Sequence, residues 1–467
     1  MKVNVLSPLH IGSGESYDSL LSYLDLQKNR LFVVDIEKFF KAIGVSLSVE
    51  FADWINKNMA KIDKLEDLKR KNKKIAKKIN DEKWKIKKIF NLKNFLQENN
   101  ISFHKIKSSC VIYDVNCENN PPFGKEIFPF IKQKNKVYIP GTEIKGAIRT
   151  ALLYKIIKED KDMQRFLQNR LKGILKEKIK INDQDFTYEE LISEVKNKKK
   201  FNRKFKKYLV NKGKSIESKL QNLVFRRYAK DDPKYDLLKF LQVGDSELVE
   251  PSEVLSISYA EPFNTSKSFK VFYEYIIPDT QLSLKEFCIE FNLNKFENIG
   301  LTQKYKRLIK DVNAILSACY EFTKDLLEEE IAFSKAYELK DVLNQLIQIE
   351  AKNTPDTPVI RIGKDQGYLS ITVGLAVKKL WPDLYENILI HTTKNISYDS
   401  QHGGPLPKSR KLVKWNGQSI TAGWIQLIPD NIQKDSRTYS KEGLQDKDMN
   451  RAIEALKKKF KVRELKK

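Results

Sequence analysis

Between Lys136 and Ile157 the chain reads KVYIPGTEIKGAIRTALLYKII. Tyr138 and Ile139 end a strand-like run, and Pro140-Gly141 punctuates it. Thr142 carries the hydroxyl of a helix N-cap, and Glu143 suits the positive end of a helix dipole. Ile144, Ala147, Ile148, Ala151 and Leu152 then recur at helical spacing. The stretch predicts a strand, a turn and a helix capped by Thr142. Lys145 and Arg149 are four residues apart and share one helix face, while Gly146 lets another group approach closely. Free amides at a helix start beside two cations form a phosphate site. An ordinary capped helix with two solvated cations fits the same residues, and the stretch by itself leaves both readings open.

The whole chain narrows the choice. Its 467 residues suffice for two or three domains, and 41% of them are apolar, enough for a sizeable core. Lys and Arg number 86 against 61 Asp and Glu, a formal net charge of +25. Such an excess favours a polyanionic partner, most often nucleic acid, although a Lys- and Asn-rich genome would produce part of it. No apolar run of about 20 residues and no lipidation signal points to a membrane. The opening MKVNVLSPLHIGSG lacks the apolar centre of a signal peptide. Cys110, Cys117, Cys288 and Cys319 do not have zinc-site spacing, so reduced thiols in a cytoplasmic protein are expected. GTEIKGA is not a P-loop, no dinucleotide fingerprint occurs, and no cofactor is expected.

Strand-like and helical segments alternate irregularly. Basic helical blocks at about 49–100 and 160–230 interrupt a first α+β unit, residues 1–248. SSCVIYDV (Ser108 to Val115) reads as a strand between them. A second unit, 249–430, holds VLSISYAEPF, KSFKVFYEYIIP and two late strands, KLVKW and GWIQLIP. A long helical insertion spans about 283–350, and a polar helical tail follows at 431–467.

Four stretches carry a family resemblance. They are SPLHIGSGE (Ser7 to Glu15), YIPGTEIKGAIRTALL (Tyr138 to Leu153), VIRIGKDQGYLSITV (Val359 to Val373) and KLVKWNGQSITAGWIQL (Lys411 to Leu427). Together they resemble the RAMP superfamily of CRISPR-associated proteins. Their order and the chain length look most like the type III-A Csm subunit that caps the 3′ end of the guide RNA. The resemblance implies an α+β fold with two ferredoxin-like, RRM-related domains carrying helical insertions. It implies a non-catalytic subunit bound to crRNA, beside the repeating backbone (RAMP) subunit and the small helical subunit. Target RNA and host trimming nucleases are further implied partners, with roles in crRNA 3′-end maturation and antiviral defence. One departure is that the Gly-rich loop many RAMP proteins carry before their last strand is here WNGQSITAGW, with only Gly417 and Gly423.

The residues expected at the RNA follow from these stretches. They are His10, Gly12, Ser13 and Gly14 in the first, and Thr142, Lys145, Gly146 and Arg149 in the second. Arg361, Lys364 and Gln366 flank Gly363 and Gly367, and Lys408, Arg410 and Lys411 belong to the basic Gly-Pro loop HGGPLPKSRK. Each stretch also has a bland reading as a tight turn, a capped helix, a charged hairpin or a solvated loop. The Lys-rich helices at 61–93 and 195–214 read first as solvated faces. His10 is the candidate general acid or base of an alternative function, since some RAMP proteins are metal-independent endoribonucleases that process crRNA precursor through a histidine. Carboxylates are dispersed, Asp245 has no visible partner, and no metal site is expected. A subunit that must accept every spacer cannot read bases, so backbone amides and cations would hold the RNA, with affinity that falls as salt rises.

Overall fold

A computed structural model describes residues 1–430 apart from 18–19, 21, 73–74, 123, 177, 182–183, 188–202, 227–231, 265–268, 291–302, 387–406 and 408. The tail at 431–467, residues 195–202 of the second Lys-rich run and Lys408 lie outside the described residues.

The YIPGTEIKGAIRTALL stretch forms the central helix, Gly141–Glu159. Its N-cap is Pro140, not the expected Thr142. No hydroxyl cap is needed, because a distant carboxylate supplies one. The Gly141 N–H donates to Asp245 Oδ1 at 2.9 Å. A Cβ on Gly141 would run into the carbonyls of Val243 and Gly244, so glycine lets the segment that carries Asp245 lie against the helix start. Ile144, Ile148, Ala151 and Leu152 are fully buried, and so are neighbours on the remaining faces such as Tyr154 and Ile157. A helix apolar on most sides belongs inside a domain, and this one does. The long helix Val312–Ala336 lies along it. Lys158 reaches Asp325 at 2.6 Å, Lys155 reaches Glu321 at 2.5 Å, and the Tyr154 hydroxyl donates to Asp325.

Two main sheets surround these helices. In the smaller, Lys2–Val5 runs antiparallel between Gln281–Ser283 and Trp424–Ile428, with Val359–Arg361 outside the last. The larger sheet runs in the order Gln418–Ile420, Arg410–Trp415, Leu255–Phe263, Val111–Cys117, Arg30–Val34 and Ser22–Asp25. Val271–Ile276 also pairs with Leu255–Phe263. Both sheets therefore join strands from before and after residue 248, and residues 1–428 form one compact unit. In the larger sheet the halves of the chain meet through two parallel contacts, Ser256–Ile257 with Asn116–Cys117 and Phe272–Tyr273 with Ile127–Phe128.

The first basic insertion has its own core. Val45–Lys71 and Ala76–Ile89 form a helical hairpin. At its base Phe39, Phe51 and Phe95 pack with Phe32 and Phe103. Residues 103–110 join this cluster as a helix, although Ser108 to Cys110 were expected to begin a strand. Phe103, Ile106 and Cys110 fall on one helical face, and burying them against Phe32 outweighs the β propensity of the stretch. The span 283–350 is likewise not wholly helical. Its start finishes Gln281–Ser283, which pairs with Lys2–Asn4, and Phe287–Ile289 pairs with Leu241–Val243.

Removing the borrowed cap tests this arrangement. Asp245→Ala should lower stability by about 1 kcal/mol. Gly141→Ala should lower it more, because backbone at 243–244 must move, and urea unfolding of the two variants gives the comparison.

Candidate nucleic-acid interface

Parts of the four family-like stretches, far apart in sequence, are stitched to one another by backbone and side-chain groups. The Ser7 hydroxyl accepts from the Trp424 N–H at 2.9 Å, and the Gly423 N–H donates to the Pro8 carbonyl at 3.0 Å. Ile362 N–H donates to Gly423 O at 2.8 Å, and Lys364 N–H to His10 O at 2.8 Å. Gly363 takes φ +78°, and a Cβ there would run into the His10 carbonyl. Its N–H points to Glu143 Oε2 at 3.3 Å, tying the turn to the start of the central helix. Lys411 Nζ closes the group on Asp365 at 2.8 Å.

Six of the expected RNA residues are exposed: Gly12, Ser13, Gly14, Thr142, Gly146 and Lys364. No atom lies within 4 Å of a Cβ built on Gly146, so that helix face is open to close approach. The 12–15 loop is pinned rather than free. Ser13 N–H donates to Pro129 O at 3.4 Å, and Glu15 N–H to Ser13 Oγ at 3.2 Å.

The other described residues expected at the RNA are engaged by partners within the chain. His10 is 2% exposed and packs against Tyr273 and Phe130. Its Nδ1 lies 2.8 Å from the Glu274 carbonyl, an acceptor only, so Nδ1 carries the proton. Burial pushes its pKa down to about 4, against the opposing effect of that hydrogen bond and with help from the charges of Lys364 and Lys132. At neutral pH His10 is an uncharged core residue, buried and hydrogen-bonded within the chain. Lys145 Nζ donates to Leu241 O at 2.8 Å, and burial lowers its pKa. Arg149 reaches Asp236 at 2.6 Å with its guanidinium over the Phe225 ring. These two cations tie Leu241, Asp236 and Phe225 to the central helix. Gln366 Nε2 donates to Gly363 O at 2.6 Å and braces the turn.

Arg361 and Arg410 share one buried carboxylate. Arg410 places Nε and Nη2 each 3.0 Å from Glu330, with its guanidinium over Phe333. Arg361 Nε donates to Ala422 O at 2.9 Å, Nη1 stands 3.8 Å from Glu330, and the guanidinium covers Trp424. Desolvation lowers the Arg361 pKa to about 10, which leaves it charged at pH 7. In the sequence both arginines are cations near glycines, a pattern that points to RNA while the buried partner is out of sight. Glu330 was missed, yet it had a signal. Leu326, Leu327 and Phe333 share its helical face, and a carboxylate on a buried apolar face demands partners. Glu274, fully buried, had no such signal. It accepts from Tyr113 at 2.9 Å, Phe130 N–H at 2.8 Å and Lys132 at 2.5 Å. Asp245, read as an unpartnered acid, is the helix cap. Among the described residues no group of three His, Cys, Asp or Glu could hold a metal ion, and no helix is long and apolar enough to cross a membrane.

Two outcomes follow from the buried groups. Glu330→Gln leaves two arginines without their anion and should destabilise by about 3–5 kcal/mol in urea unfolding. His10 binds its proton more tightly in the unfolded chain, at the ordinary pKa of 6.5, than in the folded one, at about 4. Its contribution to stability is therefore whole above pH 6.5 and drains away as pH falls towards 4. The stability gap between wild type and His10→Gln should narrow over that window; a constant gap would place the imidazole in solvent.

A curated Methanocaldococcus jannaschii protein described as CRISPR system Cms protein Csm5 is 25% identical over 334 residues, 67% of either chain. A chain of the cryo-EM structure of a Csm-crRNA-target RNA ternary complex from a type III-A CRISPR-Cas system has a similar fold. It superposes with a TM-score of 0.55 at 20% identity, covering 91% of this chain and 98% of that one. The crystal structure of T. onnurineus Csm5 gives 0.54 at 21% identity, covering 91% and 100%. The RAMP superfamily profile matches residues 2–464, and the chain belongs to that superfamily.

Proposed function

We propose that the chain is a non-catalytic, crRNA-binding Csm subunit of a type III-A CRISPR effector complex, capping the crRNA 3′ end. The observation that carries this reading is the convergence of the family-like stretches on one place, in a chain whose curated relative is described as Csm5. The exposed part of that place offers the 12–14 backbone, Thr142, the open side of Gly146 and Lys364. These groups suit a phosphodiester backbone and read no base. The internally paired cations act one step back, by fixing the loops that present them.

The backbone RAMP subunit, the small helical subunit, target RNA and host trimming nucleases are the partners in this proposal, in the cytoplasm. The two main sheets fit two ferredoxin-like halves, 1–248 and 249–430, that exchange strands: Lys2–Val5 sits between two strands of the later half. The endoribonuclease alternative needs a titrating histidine at the surface. His10 is buried, neutral and hydrogen-bonded to the Glu274 carbonyl, so nothing in its setting favours that reading.

The first test is to tag the protein in its own cell, purify what accompanies it and sequence the RNA ends. Short RNAs with a shared 5′ repeat tag and ragged 3′ ends, alongside Csm partners, are expected. The protein alone, or with uniformly cleaved repeats, would overturn the reading. Lys364→Glu should lower recovered crRNA about 3- to 10-fold for every spacer alike, since one phosphate contact is reversed. A loss confined to certain spacers would show base reading.

A further inference from the structure

The hairpin of Val45–Lys71 and Ala76–Ile89 takes no part in the site above. Between residues 45 and 89 the sequence holds 14 Lys and Arg against 7 Asp and Glu. Pairing consumes only some of them. Lys83 pairs with Glu66, Lys69 donates to Asn80 at 2.9 Å, and Lys85 meets Glu82 at 3.2 Å. Lys61, Lys64, Lys77, Lys78 and Lys88 are exposed. Among them stands Trp84, 55% exposed, with Lys88 Nζ 5.6 Å from its ring centroid.

An exposed indole is an unusual choice for a solvated helix. At 100° per residue, Lys77 and Lys88 fall within about 40° of Trp84 on the second helix of the hairpin. They stand roughly 10 Å before it and 6 Å after it along the axis. A flat ring with a cation on either side is the arrangement that takes a base by stacking and its phosphates by charge. Asp81 lies on the same face, one turn back, and is the one carboxylate that opposes an anion there. A protein partner would instead need a continuous apolar stripe. The other exposed apolar residues of this helix do not supply it: Ile75 and Ile89 stand about 180° and 140° from Trp84.

We propose that this face is a second single-stranded RNA site, with a base stacked on Trp84 and the flanking phosphates held by Lys77 and Lys88. It is sequence-tolerant, prefers single strands to duplex, and is independent of the site around Lys364.

The test uses the full chain and an oligouridine carrying 5-bromouridine. Irradiation should crosslink the oligonucleotide to the peptide that contains Trp84. Trp84→Ala should weaken oligouridine binding about tenfold in fluorescence anisotropy, while Trp84→Phe keeps most of it. An RNA duplex of the same length should bind the wild type and Trp84→Ala alike. Because Trp84 is exposed, both variants should unfold at the wild-type temperature. Unchanged affinity in Trp84→Ala with no crosslink at Trp84 would overturn the proposal. So would a polyglutamate probe that loses binding in Trp84→Ala while oligouridine does not, because the face would then belong to an acidic protein. Lys364→Glu separates the two sites: recovery of crRNA from cells reports on the first, and crosslinking at Trp84 must persist in that variant.

Discussion

The seam between the first loop and the last strand is the constraint on which the rest depends. Residues 7–10 are bonded to 423–424 and to 364 through main-chain groups, and Gly363 must be glycine for its turn to lie against the His10 carbonyl. The contact fixes three things together. It closes the smaller sheet by holding Lys2–Val5 beside Trp424–Ile428. It sets the 12–14 loop next to the Lys364 turn. It brings Gly363 to Glu143 at the start of the central helix. An interface assembled from segments this far apart in sequence can form only when the sheets that carry them have folded. A binding-competent surface in this protein therefore reports on the integrity of both sheets.

The charge excess of +25 is not all available to a ligand. Arg361 and Arg410 are spent on Glu330, Lys132 on Glu274, Arg149 on Asp236 and Lys411 on Asp365. Each of these carboxylates is buried or nearly so, and each would be costly without a cation. The cations are consequently structural by necessity. Among the described residues, what stays exposed near the seam is mostly backbone and Lys364, and the hairpin exposes several lysines around an indole.

Much of the fold was legible from local pattern. The strand–turn–helix around Pro140, the strands at 255–263, 271–276 and 424–428, and the basic helices at 45–89 follow from periodicity and punctuation alone. Where the motif segments meet was legible, and the partner of each side chain was not. Motif glycines marked where chain segments meet, and they do meet. Nothing local could show that Asp245 caps a helix begun 104 residues earlier, or that Glu330 gathers two arginines. A cation beside a glycine looks the same whether a phosphate or a buried carboxylate completes it. Only the distant partner decides, and its identity depends on topology rather than on neighbours in sequence.

That ambiguity has a consequence for how such a surface evolves. A site made of main-chain amides on pinned loops is insensitive to most side-chain substitutions on its face, but sensitive to changes at the buried pairs behind it. Lys364 could become another cation with little effect, because it acts as a point charge in solvent. Glu330 could not become glutamine so freely, although it would touch no RNA, because two buried guanidinium groups depend on it. The hairpin inverts this logic. Its helices carry their lysines on an exposed scaffold, so the contribution of each side chain there is direct and separable. If both proposed sites bind RNA, one is governed by backbone position and the other by the side chains it displays.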